Sequence, residues 1–300
     1  MEHNENSVSK YLIINEKDSM FGLYVNTVGS QDIKAGAPYP PHNHPLGYFF
    51  SAQEGRVLHE YQLVYITHGQ GTFCNKNERP IEIHSGMILF LQPGVWHTYC
   101  PLSKIGWKEY FIGFNGEIAD KLVKNNFFKT GNQVIDIGLN EEVVTLYAKA
   151  IEVAKADKTA VQQQLAGITF HLIGLLLSIT KNKIYEIDNW GQKIERSKIW
   201  MQENIASEIN LEKLASDLNT SYSWFRKIFK DYTGYAPAKY YQELKLRKAK
   251  EWLAETNSSI KEIAYNLGYA NSEHFFTVFK KNTGLTPTEF RISCRSSRVK

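Results

Sequence analysis

The feature that most constrains this chain is an internal repeat of about fifty residues in its C-terminal third. Four apolar positions recur 49 residues later, and six aromatic, turn and basic positions that follow them recur 50 residues later. The offset grows by one between Leu218 and Phe225, where a turn can accommodate an extra residue. The matched residues are Leu211, Leu214, Ala215, Leu218, Phe225, Phe229, Lys230, Thr233, Gly234 and Pro237 in the first copy, and Ile260, Ile263, Ala264, Leu267, Phe275, Phe279, Lys280, Thr283, Gly284 and Pro287 in the second.

Each copy has the pattern of a helix, a tight turn and a second helix. Ser259 and Glu262 match a capping box, and Gly268 can adopt the positive φ that ends a helix. Asn210 and Ser221 are the matching caps of the first copy. A short turn between two short helices is typical of a helix-turn-helix. The alternative is a scaffold of helical hairpins. It is disfavoured because the second helices are polar and basic on their outward faces and end after about three turns, a length that suits the major groove.

The charge distribution also favours a nucleic-acid partner. Residues 190–300 carry 19 Lys and Arg against 12 Asp and Glu, whereas residues 1–189 carry 16 against 19. Phosphate neutralisation supplies most of the non-specific affinity of DNA-binding proteins. A basic C-terminal region beside an acidic N-terminal one therefore fits DNA binding.

Residues 205–291 resemble the DNA-binding domain of the AraC/XylS family of bacterial transcription regulators. The resemblance rests on the stretch 259–291 (SIKEIAYNLGYANSEHFFTVFKKNTGLTPTEFR), on the first copy, and on the connecting stretch 236–254 with Arg247, Ala249 and Leu253. It implies two helix-turn-helix units on one face of double-stranded DNA, one helical turn apart. By analogy with the family, it also implies an activator that works with RNA polymerase.

Position within this motif assigns the DNA contacts. Arg226 suits a bidentate contact to guanine, and Glu273 can accept from the cytosine amino group. Thr277 departs from the family pattern, in which arginine is usual, so we expect weaker or relaxed reading by the second unit. The tail (Arg291, Arg295, Arg298, Lys300) is a second source of phosphate contacts or, equally, a frayed end. The full predicted DNA-binding set is Ser223, Arg226, Lys227, Lys230, Glu273, His274, Thr277, Lys280 and Lys281.

Residues 20–115 show short apolar or alternating runs separated by glycine-containing turns, which predicts a β-sandwich or barrel. The predicted strands include 63–67, 81–83, 87–91 and 110–114, with turns at 69–71, 85–86 and 93–94. Residues 56–107 resemble the cupin-like effector domain of many such regulators, on the segments 61–65, 69–71, 85–87 and 93–97, and residues 107–116 resemble the strand that follows.

Residues 140–182 change to a helical period and predict a pair of helices. In the second helix the spacing of the apolar residues resembles a coiled coil and predicts a homodimer seam, although the same stripe could instead pack on its own barrel. Residues 183–194 are polar with one glycine and are the predicted linker. The stripe consists of Leu165, Ile168, Leu172, Leu175, Leu176 and Ile179.

The sequence therefore predicts an α+β multidomain protein. It comprises a cupin-like β-barrel effector domain over 1–139, a helical dimerisation segment over 140–182, a linker over 183–194, and an all-α double helix-turn-helix domain over 195–300.

The barrel lacks the ligand pattern of a metal cupin, which needs a His pair, a Glu and a final His. Gln62 stands where the Glu is expected, Gly55 and Val57 stand where the His pair is expected, and His97 alone remains. We therefore expect no metal, no other cofactor and no enzymatic activity. A cupin enzyme fused to a DNA-binding domain is the least favoured alternative.

A small-molecule effector is the expected ligand of the barrel. Arginine offers a fork of donors for hydroxyls or carboxylates, and flat aromatic rings suit sugars. The family resemblance implies a sugar or oligosaccharide; a carboxylate or aromatic effector, or a ligand-free barrel, stays open. The candidates are Arg56, His97, Tyr99 and Trp107, with His42, His44 and Tyr65 behind them, although Tyr65 and Trp107 could be core aromatics. We expect the ligand to order residues 38–45 and thereby bias the dimer or the linker.

The remaining features predict a cytoplasmic protein without a membrane segment. No apolar run reaches the roughly 18 residues that a membrane span requires, and the first ten residues lack the apolar core of a signal peptide. Cys74, Cys100 and Cys294 are far apart, which fits free thiols in a reducing compartment.

Overall fold

The structure is a computed structural model that describes residues 7–41, 51–76, 78–128, 133–186, 189–207 and 209–296. The chain divides into two compact units, Met1–Ile184 and Tyr185–Lys300. The division falls within the predicted linker 183–194, but most of that segment is helical: one helix continues to Glu186 and the next begins at Trp190. Trp190 and Ile194 are buried in the core of the second unit. Burial of these two apolar side chains explains why the otherwise polar segment 183–194 is largely helical.

The described part of the first unit contains nine strands and four helices. All strand pairs are antiparallel. The main path runs β1-β2-β8-β4-β6-β9, with β3 on β7 and both β5 and β7 on β4. The strands are β1 Val8–Tyr11, β2 Tyr24–Ile33, β3 Arg56–Val57, β4 Tyr61–Asn75, β5 Ile81–His84, β6 Met87–Leu91, β7 Trp96–Pro101, β8 Trp107–Asn115 and β9 Val134–Asp136. The helices are α1 Glu16–Met20, α2 Glu117–Lys124, α3 Glu141–Ala156 and α4 Val161–Glu186.

The longest strand, β4, pairs with four others. Its first half pairs with β6 and β8, and its second half pairs with β5 and β7. The predicted turn at 69–71 is therefore wrong, whereas the turns at 85–86 and 93–94 are confirmed. A Cβ on Gly69 would lie 2.6 Å from the Cα of Trp107, and a Cβ on Gly71 would lie 2.4 Å from its ring. These glycines allow β8 to approach closely rather than reversing the chain.

Alternate residues of β4 face two different cores, as the two-residue period of a strand requires. Leu63 and Tyr65 face the core that is shared with α2, α3 and α4. Val64 and Ile66 face the opposite core, which contains Trp107 and other aromatic residues. The helices thus cover one side of the sheet, and the candidate effector site lies on the other.

The apolar stripe of α4 is divided between core and surface. Leu165, Leu172 and Leu176 are buried in the core that α4 shares with α3 and the sheet, and the other three residues of the stripe are only partly buried. By length and composition alone, Val161–Lys183 could cross a membrane, and 33% of its most apolar window is buried. The buried residues of this helix belong to the core of the first unit.

The described part of the second unit is helical and has two cores. The first core is formed by α5, α6, α7 and the first half of α8. The second is formed by the rest of α8 with α9, α10 and α11. The helices are α5 Trp190–Glu203, α6 Leu211–Asp217, α7 Tyr222–Thr233, α8 Pro237–Glu255, α9 Ile260–Asn266, α10 Ser272–Thr283 and α11 Pro287–Ser296.

Candidate DNA-reading surface and effector site

The two helix-turn-helix units begin their helices with the predicted caps. Asn210 accepts from the backbone N–H of Lys213 at 2.8 Å at the start of α6. Ser259 and Glu262 form the capping box of α9. Side chains also cap the second helix of each unit, α7 by Ser221 and α10 by Asn271; these two are the candidate DNA-reading helices, called reading helices below. Each cap satisfies an amide that the helix leaves unpaired.

The two reading helices also end alike. The Thr233 hydroxyl donates to Phe229 O at 2.7 Å, and the Thr283 hydroxyl donates to Phe279 O at 2.8 Å. Each threonine is followed by a glycine with positive φ, +82° at Gly234 and +79° at Gly284. The repeat in sequence is therefore a repeat in structure.

The structure exposes all nine predicted DNA-binding residues on these helices. Phe225 and Phe229 of α7, and Phe275 and Phe279 of α10, are fully buried on the opposite side. Each reading helix thus fixes one face in its core and presents polar and basic groups to solvent. The Thr277 hydroxyl donates to Glu273 O at 3.0 Å, so it is turned towards its own helix.

Trp224 is a surface residue of α7 that the sequence reasoning missed. Its side chain is 47% exposed in the first turn of the helix. The ammonium of Lys227 lies 5.4 Å from the centroid of its ring. The offset of 50 that relates the two copies pairs Trp224 with His274, so the repeat itself could have identified it.

The side chain of Arg291 makes a hydrogen bond within the protein instead of extending into solvent towards DNA. Its guanidinium donates to the carbonyl of Ser258 at 2.6 Å and so ties α11 to the loop before α9. The side chain of Arg295, together with Arg298 and Lys300, lies outside the described residues.

Four predicted effector residues meet on the sheet face away from the helices. Arg56 donates to the hydroxyl of Tyr99 at 2.7 Å and to Nε2 of His97 at 3.4 Å. The rings of Tyr99 and Trp107 lie 6.1 Å apart. Arg56 is half-buried and the other three are buried, so Arg56 is the most exposed residue of the four.

His97 is a neutral acceptor in this cluster. Burial, and secondarily the charge of Arg56, lower its pKa to about 4. Because Arg56 donates to Nε2, the proton is assigned to Nδ1, which lies 3.0 Å from the carbonyl of Val95. The ring is therefore held by two hydrogen bonds and positions the arginine.

Glu109 belongs to the same cluster and was also missed. It is 3% exposed, and burial raises its pKa to about 7, against the opposing effects of the Arg56 charge and of the hydrogen bond from Tyr39. The hydroxyl of Tyr39 donates to its carboxylate at 3.3 Å. Glu109 lies two residues after Trp107, so the strand period could have placed it on the same face.

Gln62 occupies the position of the missing metal ligand and is hydrogen-bonded instead. It accepts from Arg56 at 3.4 Å and donates to Glu60 at 3.4 Å. The hydroxyl of Thr27 also donates to Glu60, at 2.9 Å. Within the described ranges, no group of three His, Cys, Asp or Glu residues could hold a metal ion.

Tyr65 does not join this cluster, so its prediction as an effector residue is wrong. It faces the helical side, where its hydroxyl donates to Gly138 O at 2.9 Å and accepts from the N–H of Asn140 at 2.9 Å. The two-residue period places it opposite Val64 and Ile66. His42 and His44 lie outside the described residues.

A β-sheet domain with a polar cluster on the face away from its helices, followed by two helix-turn-helix units, defines a DNA-binding transcription regulator. Residues 37–174 match the family described as AraC-like ligand binding domain, and residues 214–293 match the family described as helix-turn-helix domain. The chain belongs to the AraC family of transcription regulators.

Two relatives, RhaS and RafR, support this assignment. The transcriptional activator RhaS of Enterobacter sp. (strain 638) is 22% identical over 268 residues, which cover 85% of this chain and 88% of that protein. The raffinose operon regulatory protein RafR of Pediococcus pentosaceus is 24% identical, over 81% of this chain and 89% of that protein. A solved AraC-type regulator from Chromobacterium violaceum is 29% identical over 35% of this chain and 93% of its own, with a TM-score of 0.33. RhaS and RafR are regulators, in agreement with the prediction that the protein is not an enzyme.

Proposed function

We propose that this regulator is a sequence-specific transcription activator that reads two major-groove segments with α7 and α10. The observation that carries the proposal is that both helices have the same capped start and glycine end and expose the predicted contact residues. Reading helices of helix-turn-helix proteins contact bases near their N-terminal ends, which is where Ser223, Glu273 and His274 lie.

The contacts divide into two classes. Arg226 and Lys227 of the first unit, and Glu273, His274 and Thr277 of the second, are assigned to base edges together with Ser223. Basic residues further along the helices position the protein on phosphates and carry little sequence information. These are Lys230, Lys280 and Lys281.

The effector we propose is a small neutral molecule with several hydroxyl groups, such as a sugar or oligosaccharide. Arg56 offers donors, Glu60 and Glu109 offer acceptors, and Tyr99 and Trp107 offer ring faces. A sugar presents both hydroxyl donors and acceptors along with apolar C–H faces, so its chemistry matches all three. The name of the relative RafR, a raffinose operon regulator, is consistent with this class.

Dimerisation is proposed through the uncovered side of α4. Gly167, His171, Gly174 and Ser178 are exposed on this side. A Cβ built on either glycine would meet nothing within 4 Å, so a second helix could approach closely. Ile168 and Leu175, from the predicted seam, flank this side.

The effector would control DNA binding through thermodynamic linkage. It can change DNA affinity only if it binds the DNA-binding conformation and the inactive conformation of the protein with different affinities. Tyr39, which donates to Glu109, connects the segment before residue 42 to the effector cluster, so a ligand hydroxyl at Glu109 competes with that contact. By analogy with its family, the protein acts in the cytoplasm together with RNA polymerase.

The test measures binding of the full chain to promoter DNA from neighbouring genes, across a salt series and with a panel of neutral sugars. We expect steep salt dependence, one sugar that shifts the binding curve, and a cost of about 1–3 kcal/mol at one base position for Arg226→Ala. Arg196→Ala, an exposed arginine on α5, is the matched control and should leave base preference unchanged. Specific DNA binding that no sugar changes would reject only the proposed effector class. Absence of specific DNA binding would reject the proposed function altogether.

A further inference from the structure

Trp224 presents the largest apolar surface on the face of α7 assigned to DNA. The indole is 47% exposed, whereas Phe225 and Phe229 on the other side are fully buried. Its backbone N–H donates to the capping hydroxyl of Ser221 at 3.3 Å. Trp224 is therefore in the first turn, the part of a reading helix that approaches base edges.

The ring of Trp224 is held by the residue one turn later. Residues three apart lie on the same side of a helix, and the ammonium of Lys227 lies 5.4 Å from the ring centroid. This distance is within the range of a cation–π interaction. Lys227 therefore covers one face of the indole and restrains it, leaving the opposite face and the ring edge available to a partner.

The chemistry of the major groove offers one apolar group to such a surface, the 5-methyl of thymine. We infer that Trp224 reads the 5-methyl group of a thymine in the half-site bound by the first unit. This inference rests on the proposed DNA-reading role of α7. Lys227, which is assigned above to base edges, then also positions the indole. Removing one methyl group from water changes an equilibrium constant by about fourfold.

The second unit lacks this arrangement. At the positions related by 50 residues, α10 carries His274 and Thr277 in place of Trp224 and Lys227. The His274 ring packs against Tyr269, at 5.7 Å between centroids. The thymine requirement is therefore confined to the half-site of the first unit.

The experiment begins by selecting a binding site for the full chain from a random duplex library. Each thymine of the selected site is then replaced singly by deoxyuridine, which removes the methyl group and keeps every hydrogen-bonding atom. Dissociation constants are measured for the wild type, Trp224→Ala and Trp200→Ala. Trp200 lies on α5, outside the reading helices, and is 36% exposed, which makes it the matched control.

We expect one replacement in the first half-site to raise Kd about fourfold for the wild type and Trp200→Ala. For Trp224→Ala the same replacement should leave Kd unchanged. If no thymine matters, or if the penalty persists in Trp224→Ala, the inference is overturned while the DNA-binding proposal stands. Failure of the selection to enrich any sequence would instead overturn the proposed function.

Discussion

The side chain of Gln162 makes both backbone hydrogen bonds of Val25. Its amide donates to Val25 O at 3.0 Å, and its carbonyl accepts from Val25 N at 2.9 Å. The glutamine is 3% exposed and lies in the first turn of α4, so it joins the proposed dimer helix to β2. The side chain thereby makes the two hydrogen bonds that a neighbouring strand would make, next to a register shift in β2.

Replacing Gln162 by alanine should destabilise the first unit substantially. The substitution leaves a buried N–H and a buried carbonyl of Val25 unpaired, and each unpaired group costs about 1–3 kcal/mol. The free energy of unfolding from urea titration measures the effect. Gln164→Ala, an exposed neighbour, should change it by less than about 0.5 kcal/mol. Equal effects at the two positions would show that the hydrogen bonds are unimportant.

The stability of the first unit should depend on the ionisation of Glu109. Burial raises its pKa from 4.5 to about 7 in the folded state, so the folded protein binds the proton more tightly than the unfolded chain. The contribution is fully present below pH 4.5 and is lost as the pH rises through 7. Its full size is about 3 kcal/mol.

Glu109→Gln removes this titration, and thermal unfolding at pH 5 and pH 8 measures the difference. The wild type should lose more stability than the variant between these two pH values. Parallel losses in the two proteins would mean that the Glu109 carboxyl does not titrate in this range.

Tyr65→Phe and Tyr99→Phe should have different consequences because the two hydroxyls lie on opposite faces of the sheet. The first substitution removes hydrogen bonds to Gly138 and Asn140 and should cost about 1–3 kcal/mol of stability, with effector affinity unchanged. The second releases Arg56 and should weaken effector binding. Chemical denaturation and calorimetric titration with the identified effector separate these effects. A loss of affinity in Tyr65→Phe would contradict the assignment of the faces.

Gly174→Arg should separate dimerisation from folding. A Cβ at this position would meet nothing within 4 Å, and arginine is a better helix former than glycine by roughly 0.5–1 kcal/mol. The subunit should therefore remain folded, while the added charge disrupts a seam on this face. Sedimentation equilibrium measures the association constant. An unchanged constant would place any dimer contact elsewhere.

Lys230→Ala and Lys280→Ala should weaken DNA binding without changing base preference. Each removes one proposed phosphate contact, so the slope of log K against log salt should fall by about one. Binding to a specific and a scrambled duplex should fall by the same factor. A selective loss on the specific duplex would instead make the lysine a base-reading residue.

Local patterns predicted the second unit better than the first. Caps such as Asn210 and Ser259 act within one helical turn, so the sequence contains the whole interaction. The role of Gly69 within β4 depends on the close approach of Trp107, a partner 38 residues away in the chain. The same spacing of glycines also fits a turn. The two-residue period of a strand separates its side chains onto two opposite sides, but it does not show which side packs against the helices. Tyr65 was therefore assigned to the wrong side of the sheet.

Glu109 and Trp224 were missed for different reasons. A carboxylate within an apolar strand looks like a solvent-facing residue until the strand has been placed between two layers. An exposed tryptophan beside buried phenylalanines looks like part of the core, and only comparison with the second copy of the repeat sets it apart.

In the proposed mode of DNA binding, the shared helix α8 determines which DNA sites both units can reach together. Its 19 residues span about 28 Å, close to the roughly 34 Å of one DNA turn, and its two halves belong to the two cores. One residue inserted in the middle of α8 would move the second unit by about 1.5 Å and rotate it by about 100°. In that mode the length of one helix sets the phase of the two half-sites on the DNA, and relatives with a longer or shorter α8 would require promoters with a different half-site geometry.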